Sequence, residues 1–343
     1  HFHIQKTLRE KLGYDGVVIT DDLQMGAIIK RYKLEEIIIA AINAGCDILQ
    51  FSDPLDLDED LPQRFRLIVL NAIEEGKIKS IQDQITDYLP QFKGTGYEGV
   101  TIKNALEMSS GVGFNEDYSD FNSDINRFGR YFALGQSFEK FALSLKNTRK
   151  PGTFNHYVSI DTQVLGMVLK KATGKSITQF MQNKIWNPIG MEDDAQWIID
   201  EDGMELALGG LNATLRDYGK YGLLYLREGN WFGNQIISQN WVKQSITMDG
   251  PHLQPGINQF SSNDLGYGLQ WWIPQEADGA FLASGIYNQH IYIQPNRDLV
   301  IVKLSGNYHF KTNKDLEKSQ HIDFFKSIVE QFPKNIIANK TVE

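Results

Sequence analysis

Cysteine is nearly absent: Cys46 is the single one among 343 residues. One cysteine cannot form an internal disulfide, so the redox compartment stays open, and its apolar surroundings predict a buried structural thiol rather than a reactive one. Basic runs are also missing. Lys and Arg number 34 against 43 Asp and Glu, a formal charge of -9. Without a cationic stretch to offset that excess, the chain is not expected to bind nucleic acid or an anionic membrane surface. The longest apolar stretch, Ile37 to Ala44, is broken by Asn43 and is too short to span a bilayer, so no membrane span is expected. Histidines are few and scattered. The pair His1 and His3 has no third ligand at helical or hairpin spacing, so it is read as inert and no metal is expected. An initiating Met is lacking too. The opening reads as the middle of an element, with the expectation that the true N-terminus and any signal peptide lie upstream.

What is present suffices for a globular chain. A hydrophobic share of 41% supports one large core or two ordinary ones. The first 70 residues alternate β and α: a helix over Ile4 to Leu12, a strand over Gly16 to Thr20, a helix over Leu34 to Ala44 and a strand over Cys46 to Phe51. Continuous apolar strands between helices predict a parallel sheet buried on both faces. The composition breaks near residues 71 to 95. Beyond it the pattern is helical with long loops to about Glu228. Strands follow over Tyr267 to Ile273, Ala280 to Gly285, His290 to Gln294 and Leu299 to Leu304, with a tight turn at Pro295 to Asp298. The amphipathic segment Leu316 to Phe332 is predicted as a closing helix.

Thr20-Asp21-Asp22-Leu23-Gln24-Met25 places carboxylates at the end of a parallel strand, where α/β barrels gather catalytic groups. The wording from Leu8 to Met25, with Ala40 to Leu49 and Leu61-Pro62, resembles the β-N-acetylglucosaminidase branch of family 3 glycoside hydrolases. By that resemblance Asp21 is a carboxylate nucleophile that forms a covalent glycosyl-enzyme. The family's His-Asp acid/base pair and its Lys-His sugar-binding sequence would lie before His1. Only the last two β/α units of a TIM-type barrel are represented, and two parallel strands cannot close a barrel. In this chain the other role open to Asp21 is to cap the next helix.

From Asn71 onward, Ala72-Ile73-Glu74-Glu75-Gly76-Lys77-Ile78, Val100 to Gly111, Pro151-Gly152, Gly209 to Tyr218, Leu265 to Trp272 and Ala283 to Gln289 resemble the β-lactamase-related, penicillin-recognising serine hydrolases. The resemblance implies acyl transfer through a serine ester, without metal or organic cofactor, on a small amide, ester or peptidoglycan-derived substrate. It also implies an antiparallel sheet flanked by helices, its N-terminal strands pairing with C-terminal ones, and it leans to a bacterial periplasmic or extracellular setting. By it Tyr157 is the proton shuttle, Ser159 stands where many relatives carry Asn to hold the substrate amide, and Ala283-Ser284-Gly285 takes the place of Lys-Thr-Gly. Ser284 and Gly285 then line the substrate strand, and the Ile286 amide is half of an oxyanion hole. Ala283 in place of Lys removes the cation that β-lactams and peptide carboxylates favour.

The nucleophile motif is the missing part. A Ser-x-x-Lys helix should lead into Gly76-Lys77-Ile78, yet Arg64 to Ile73 contains no serine and continues the glycosidase's terminal helix. The sole Ser-x-x-Lys, Ser137-Phe138-Glu139-Lys140, reads as a helix start with Ser137 as N-cap. The expected organisation is a barrel fragment over 1–76, a truncated hydrolase domain over 77–335 and a tail over 336–343, α/β followed by α+β. Three explanations stand: a fragment joined across a shared helix, a degenerate hydrolase that binds without turnover, and an enzyme with an unrecognised nucleophile. The helix from Leu61 to Ile73, apolar at Leu67, Leu70 and Ile73, is expected to fill the place of the nucleophile helix, and Tyr157 to face Ser284 and Gly285 across a groove.

Overall fold

The computed structural model describes residues 71–275, 278–306 and 310–334, together with scattered positions up to residue 69. Two short strands belong to the first segment: β1 (Ile19–Asp22) and β2 (Ile48–Gln50) pair in parallel, as the β/α alternation predicts. Cys46 is buried, as its apolar run implies. Leu67 and Leu70 lie outside the described residues. Val69 and Ala72 are buried in the larger core and Ile73 packs against it.

The centre of the fold is a five-stranded antiparallel sheet: β3 (Gly266–Tyr267), β4 (Trp272–Ile273), β5 (Phe281–Gly285), β6 (Gln289–Gln294) and β7 (Leu299–Lys303) follow one another in space as in sequence. Alternation along a strand sends neighbouring side chains to opposite faces, and here it separates two cores. Trp271, Phe281, Ala283, Ile291, Ile293, Val300 and Val302 join the larger core with the helices, while Trp272, Leu282, Tyr292, Leu299 and Ile301 join the smaller one.

Four helices position the site. Thr101 opens α1 (Ile102–Leu106) by accepting the Asn104 amide, the usual service of a threonine N-cap. Helix α2 (Ser159–Thr173) follows Tyr157 directly and ends at Gly174, whose φ of 67° suits glycine. Helix α3 (Leu215–Leu226) packs on β6 and β7 in the larger core, and α4 (Phe310–Val329) covers the other face through Ile322, Phe325, Ile328 and Val329. Strand β2 lies beside β7.

The predicted strand over Tyr267 to Ile273 is corrected to a hairpin. Gln270 takes φ 63° and splits the run into β3 and β4. The closing helix begins at Phe310 rather than Leu316 and ends at Val329. Ser137 does stand at the start of a helix, Phe138–Leu143, but its side chain makes no cap bond. The Asp200 carboxylate accepts the Phe138 amide at 2.8 Å instead.

Candidate active site

The Tyr157 loop is fixed before α2 begins. The Asn155 amide donates to the Phe260 carbonyl and the His156 amide to the Met108 carbonyl, each at 2.9 Å. Asn155 Nδ2 donates to the Glu107 carbonyl at 2.7 Å, and the His156 ring meets Ser262 Oγ at 2.9 Å. Two segments distant in sequence therefore hold the two residues before the tyrosine. Its half-buried ring stacks on Trp272, centroids 5.4 Å apart and planes 27° apart, and meets Tyr267 edge-on at 6.5 Å.

Ser159 is the first residue of α2 and is buried; its amide donates to the Glu116 carboxylate. A carboxylate at this end of a helix meets free N–H groups and the positive end of the dipole. Asp161, two residues on, is fully buried and accepts from the Tyr97 hydroxyl at 2.9 Å. Burial pushes its carboxyl up to about 7, with Glu116's charge adding, while Ser110 and Tyr97 oppose. Tyr97 is in turn pushed well above its usual range by burial and by Asp161.

Ser284 and Gly285 end β5, and Ile286 opens the turn to β6; all three are partly exposed. Trp272 pairs with Leu282, so the indole beneath Tyr157 lies across from β5 two residues before Ser284. Direct cross-strand partners, and residues two apart on a strand, share a face, which gives Trp272 and Ser284 the same side of the sheet. Ala283 points the other way and is fully buried in the larger core, so the position that carries Lys in the Lys-Thr-Gly pattern is here a core position. A cavity of about 300 Å³ borders Trp272, with Ile257, Asp264, Lys318 and Asp323 in its wall.

The remaining residues singled out by sequence sit on other elements. Asp21 belongs to β1, in the separate parallel pair. Ser137 is buried, while Lys140, its partner in Ser-x-x-Lys, is largely exposed and pairs with Glu201 at 3.2 Å. Sequence reasoning assigned no role to Gln270, Glu107, Glu116 or Asp161. Gln270 is fully buried: its side chain accepts from Thr162 Oγ1 of α2 at 3.0 Å and donates to the carbonyls of Ala105 and Leu106 in α1. The one sequence signal for Asp161 was its place in the first turn of a helix, where a carboxylate is favoured.

Comparison with known proteins follows the division seen in the sequence. A 6-aminohexanoate-dimer hydrolase of Paenarthrobacter ureafaciens is 29% identical over 249 residues, covering 70% of this chain and 62% of that protein. A β-hexosaminidase of Bordetella parapertussis is 39% identical over 70 residues, 19% of this chain and 18% of that protein. The chain thus spans about three fifths of the first relative and under a fifth of the second. Among solved structures, one from Bacillus anthracis that carries the same dimer-hydrolase name superposes with a TM-score of 0.69 at 23% identity, covering 83% of this chain and 77% of that one. The octameric penicillin-binding protein homologue from Pyrococcus abyssi gives 0.53 at 19%, covering 80% and 68%. These likenesses establish the fold. The glycosyl hydrolase family 3 N-terminal domain profile matches residues 2–87 and overlaps the second family match over residues 67–87. With that second profile, β-lactamase, matching residues 67–319, the chain belongs to the β-lactamase family.

Proposed function

We propose that the chain is a β-lactamase-related hydrolase domain whose wall at Tyr157 and the end of β5 holds a small amide or ester without forming an acyl-enzyme. The observation that carries this reading is the fate of the sole Ser-x-x-Lys: Ser137 is buried and Lys140 is engaged with Glu201 at the surface. A serine hydroxyl becomes a nucleophile only beside a base, and this pair offers none. In the reading, Tyr157 retains the position of a proton shuttle with no serine to serve. Ser159, Ser284 and Gly285 wall the groove, and the Ile286 amide faces the ligand carbonyl. Residues 1–76 then correspond to a segment of a glycoside hydrolase barrel and 77–335 to the hydrolase domain.

Incubation with a fluorophosphonate or a penicillin probe should leave the intact mass unchanged, both for the native chain and for Ser137→Ala. A stoichiometric adduct on any serine would overturn the assignment. Calorimetry with a peptide or acyl amide should show saturable binding, weakened about 2- to 10-fold in Tyr157→Phe, the worth of one ordinary hydrogen bond. Absence of any binding heat would sink the groove.

The match of residues 2–87 to a glycoside hydrolase domain favours a second, narrower reading, in which Asp21 keeps a nucleophile's place. In that family the nucleophile works with a His-Asp acid/base pair, and loss of proton donation alone removes about 10²- to 10⁴-fold in rate. A chromogenic N-acetylglucosaminide should therefore not be cleaved above background. Turnover that vanishes in Asp21→Asn would show this segment to be a working glycosidase.

A further inference from the structure

The turn between β5 and β6 is held in an unusual conformation. Gly285 is still extended, but Tyr287 has φ 60° and ψ 15°, and Asn288 has φ 67°. Two successive non-glycine residues in the left-handed region are unfavourable, the tyrosine more than the asparagine, and such strain persists only where surrounding structure imposes it. The turn carries the Ile286 amide at its entrance.

The imposing group comes from two strands away. Ser284 pairs with His290 across β5 and β6, and His290 pairs with Lys303 across β6 and β7, so the three form one cross-strand row. From the end of that row Lys303 Nζ donates to the Asn288 carbonyl at 3.0 Å. Helix α4 packs against the same turn. A charged donor makes one of the stronger hydrogen bonds, and this one closes on the second left-handed residue.

We propose that Lys303 is a positioning residue: by holding the Asn288 carbonyl it keeps the Tyr287–Asn288 turn left-handed and so aims the Ile286 amide at the ligand. The assignment rests on the reading of that amide as part of the groove. Methionine has a similar stem but neither donor nor charge, so it removes the bond to Asn288 together with the positive charge beside His290, whereas arginine keeps both.

The test joins resonances with affinity. In Lys303→Met, the backbone amide signals of Ile286, Tyr287 and Asn288 should move or broaden while those of Ile291 to Ile293 and Val300 to Val302 stay in place. Affinity for an acyl-amide probe, N-acetylglycinamide, should fall about tenfold, the scale of losing one charge-assisted hydrogen bond. Lys303→Arg, which keeps a donor, should stay within about twofold of the native chain. Tyr287→Gly removes the steric cost of φ 60°, so adding it to Lys303→Met should recover most of the lost affinity. Unchanged turn signals in Lys303→Met, or shifts spread equally along β6 and β7, would overturn the proposal, as would a double variant no better than Lys303→Met. If the native chain does not bind the probe, the groove reading fails and the turn signals alone decide the role of Lys303.

Discussion

Just below pH 6.5 the unfolding free energy should change little with pH, because two buried groups drive it in opposite directions. Burial lifts the folded Asp161 carboxyl from 3.8 to about 7. Over that interval the unfolded chain has released this proton and the folded chain retains it, so stability falls as pH rises. His290 behaves in the opposite sense. It is buried between the sheet and α4, its ring 5.0 Å from that of His321 and 5.5 Å from Phe325. Burial first, then the positive charges of His321, Lys303 and Lys318, hold it well below 6.5, against a weaker pull from the Ala283 carbonyl. Below 6.5 the unfolded histidine takes a proton and the folded one does not, so stability falls as pH drops.

One proton of difference changes stability by about 1.4 kcal/mol per pH unit, and the two slopes offset each other. Each single variant should expose the other. His290→Phe should become less stable as pH rises from 4.5 to 6.5, at about that slope, and Asp161→Asn should become less stable as pH falls below 6.5. Urea unfolding at three pH values decides it. Slopes of the same sign in both variants, or a steep slope in the native chain, would mean that one of the two ionisations is wrongly placed.

Replacing Gln270 should give the largest loss of stability from any single polar change near the site. Its amide accepts from Thr162 Oγ1 and donates to the carbonyls of Ala105 and Leu106, joining α1, α2 and the β3–β4 hairpin at a fully buried point. A buried polar group left without its partner costs about 1–3 kcal/mol, so truncation to alanine should cost on the order of 3–5 kcal/mol. Gln270→Gly loses the same bonds but relieves the positive φ, worth about 1 kcal/mol, and should be the milder change. Denaturant unfolding that ranks alanine above glycine would contradict the role assigned to the backbone. Either variant should also loosen the Tyr157–Trp272 stack, since Tyr157 stands two residues before α2 and Trp272 lies on β4; a changed Trp272 emission, isolated by comparison with Trp272→Phe, reports it.

The strands β5, β6 and β7 were legible because each is a short, β-rich apolar run bounded by Gly, Pro, Asn or Asp, and local chemistry alone marks such ends. The parallel pair β1 and β2 was legible for the same reason. The Tyr267 to Ile273 run was read as one strand because nothing local announces a left-handed glutamine. Its φ is imposed by bonds to helices more than a hundred residues away. Ser137 shows the converse. Its position at a helix start follows from sequence, but the bond that caps the helix comes from Asp200, supplied by another loop.

Sequence by itself determined the membership of this chain in the β-lactamase family, the match of residues 2–87 to a glycosyl hydrolase family 3 domain, the overlap of the two over residues 67–87, and the lack of a serine or lysine from Arg64 to Ile73. These are properties of residue order, and no fold can alter them. Tertiary structure alone decided that Glu116 accepts the first amide of α2 while Asp161 is buried with Tyr97, that Trp272 carries Tyr157, and that Lys303 closes the turn after Ile286. A carboxylate or a lysine looks the same in sequence whether it is solvated or buried, and only the packing of distant segments sets its neighbours, its protonation and the backbone it constrains.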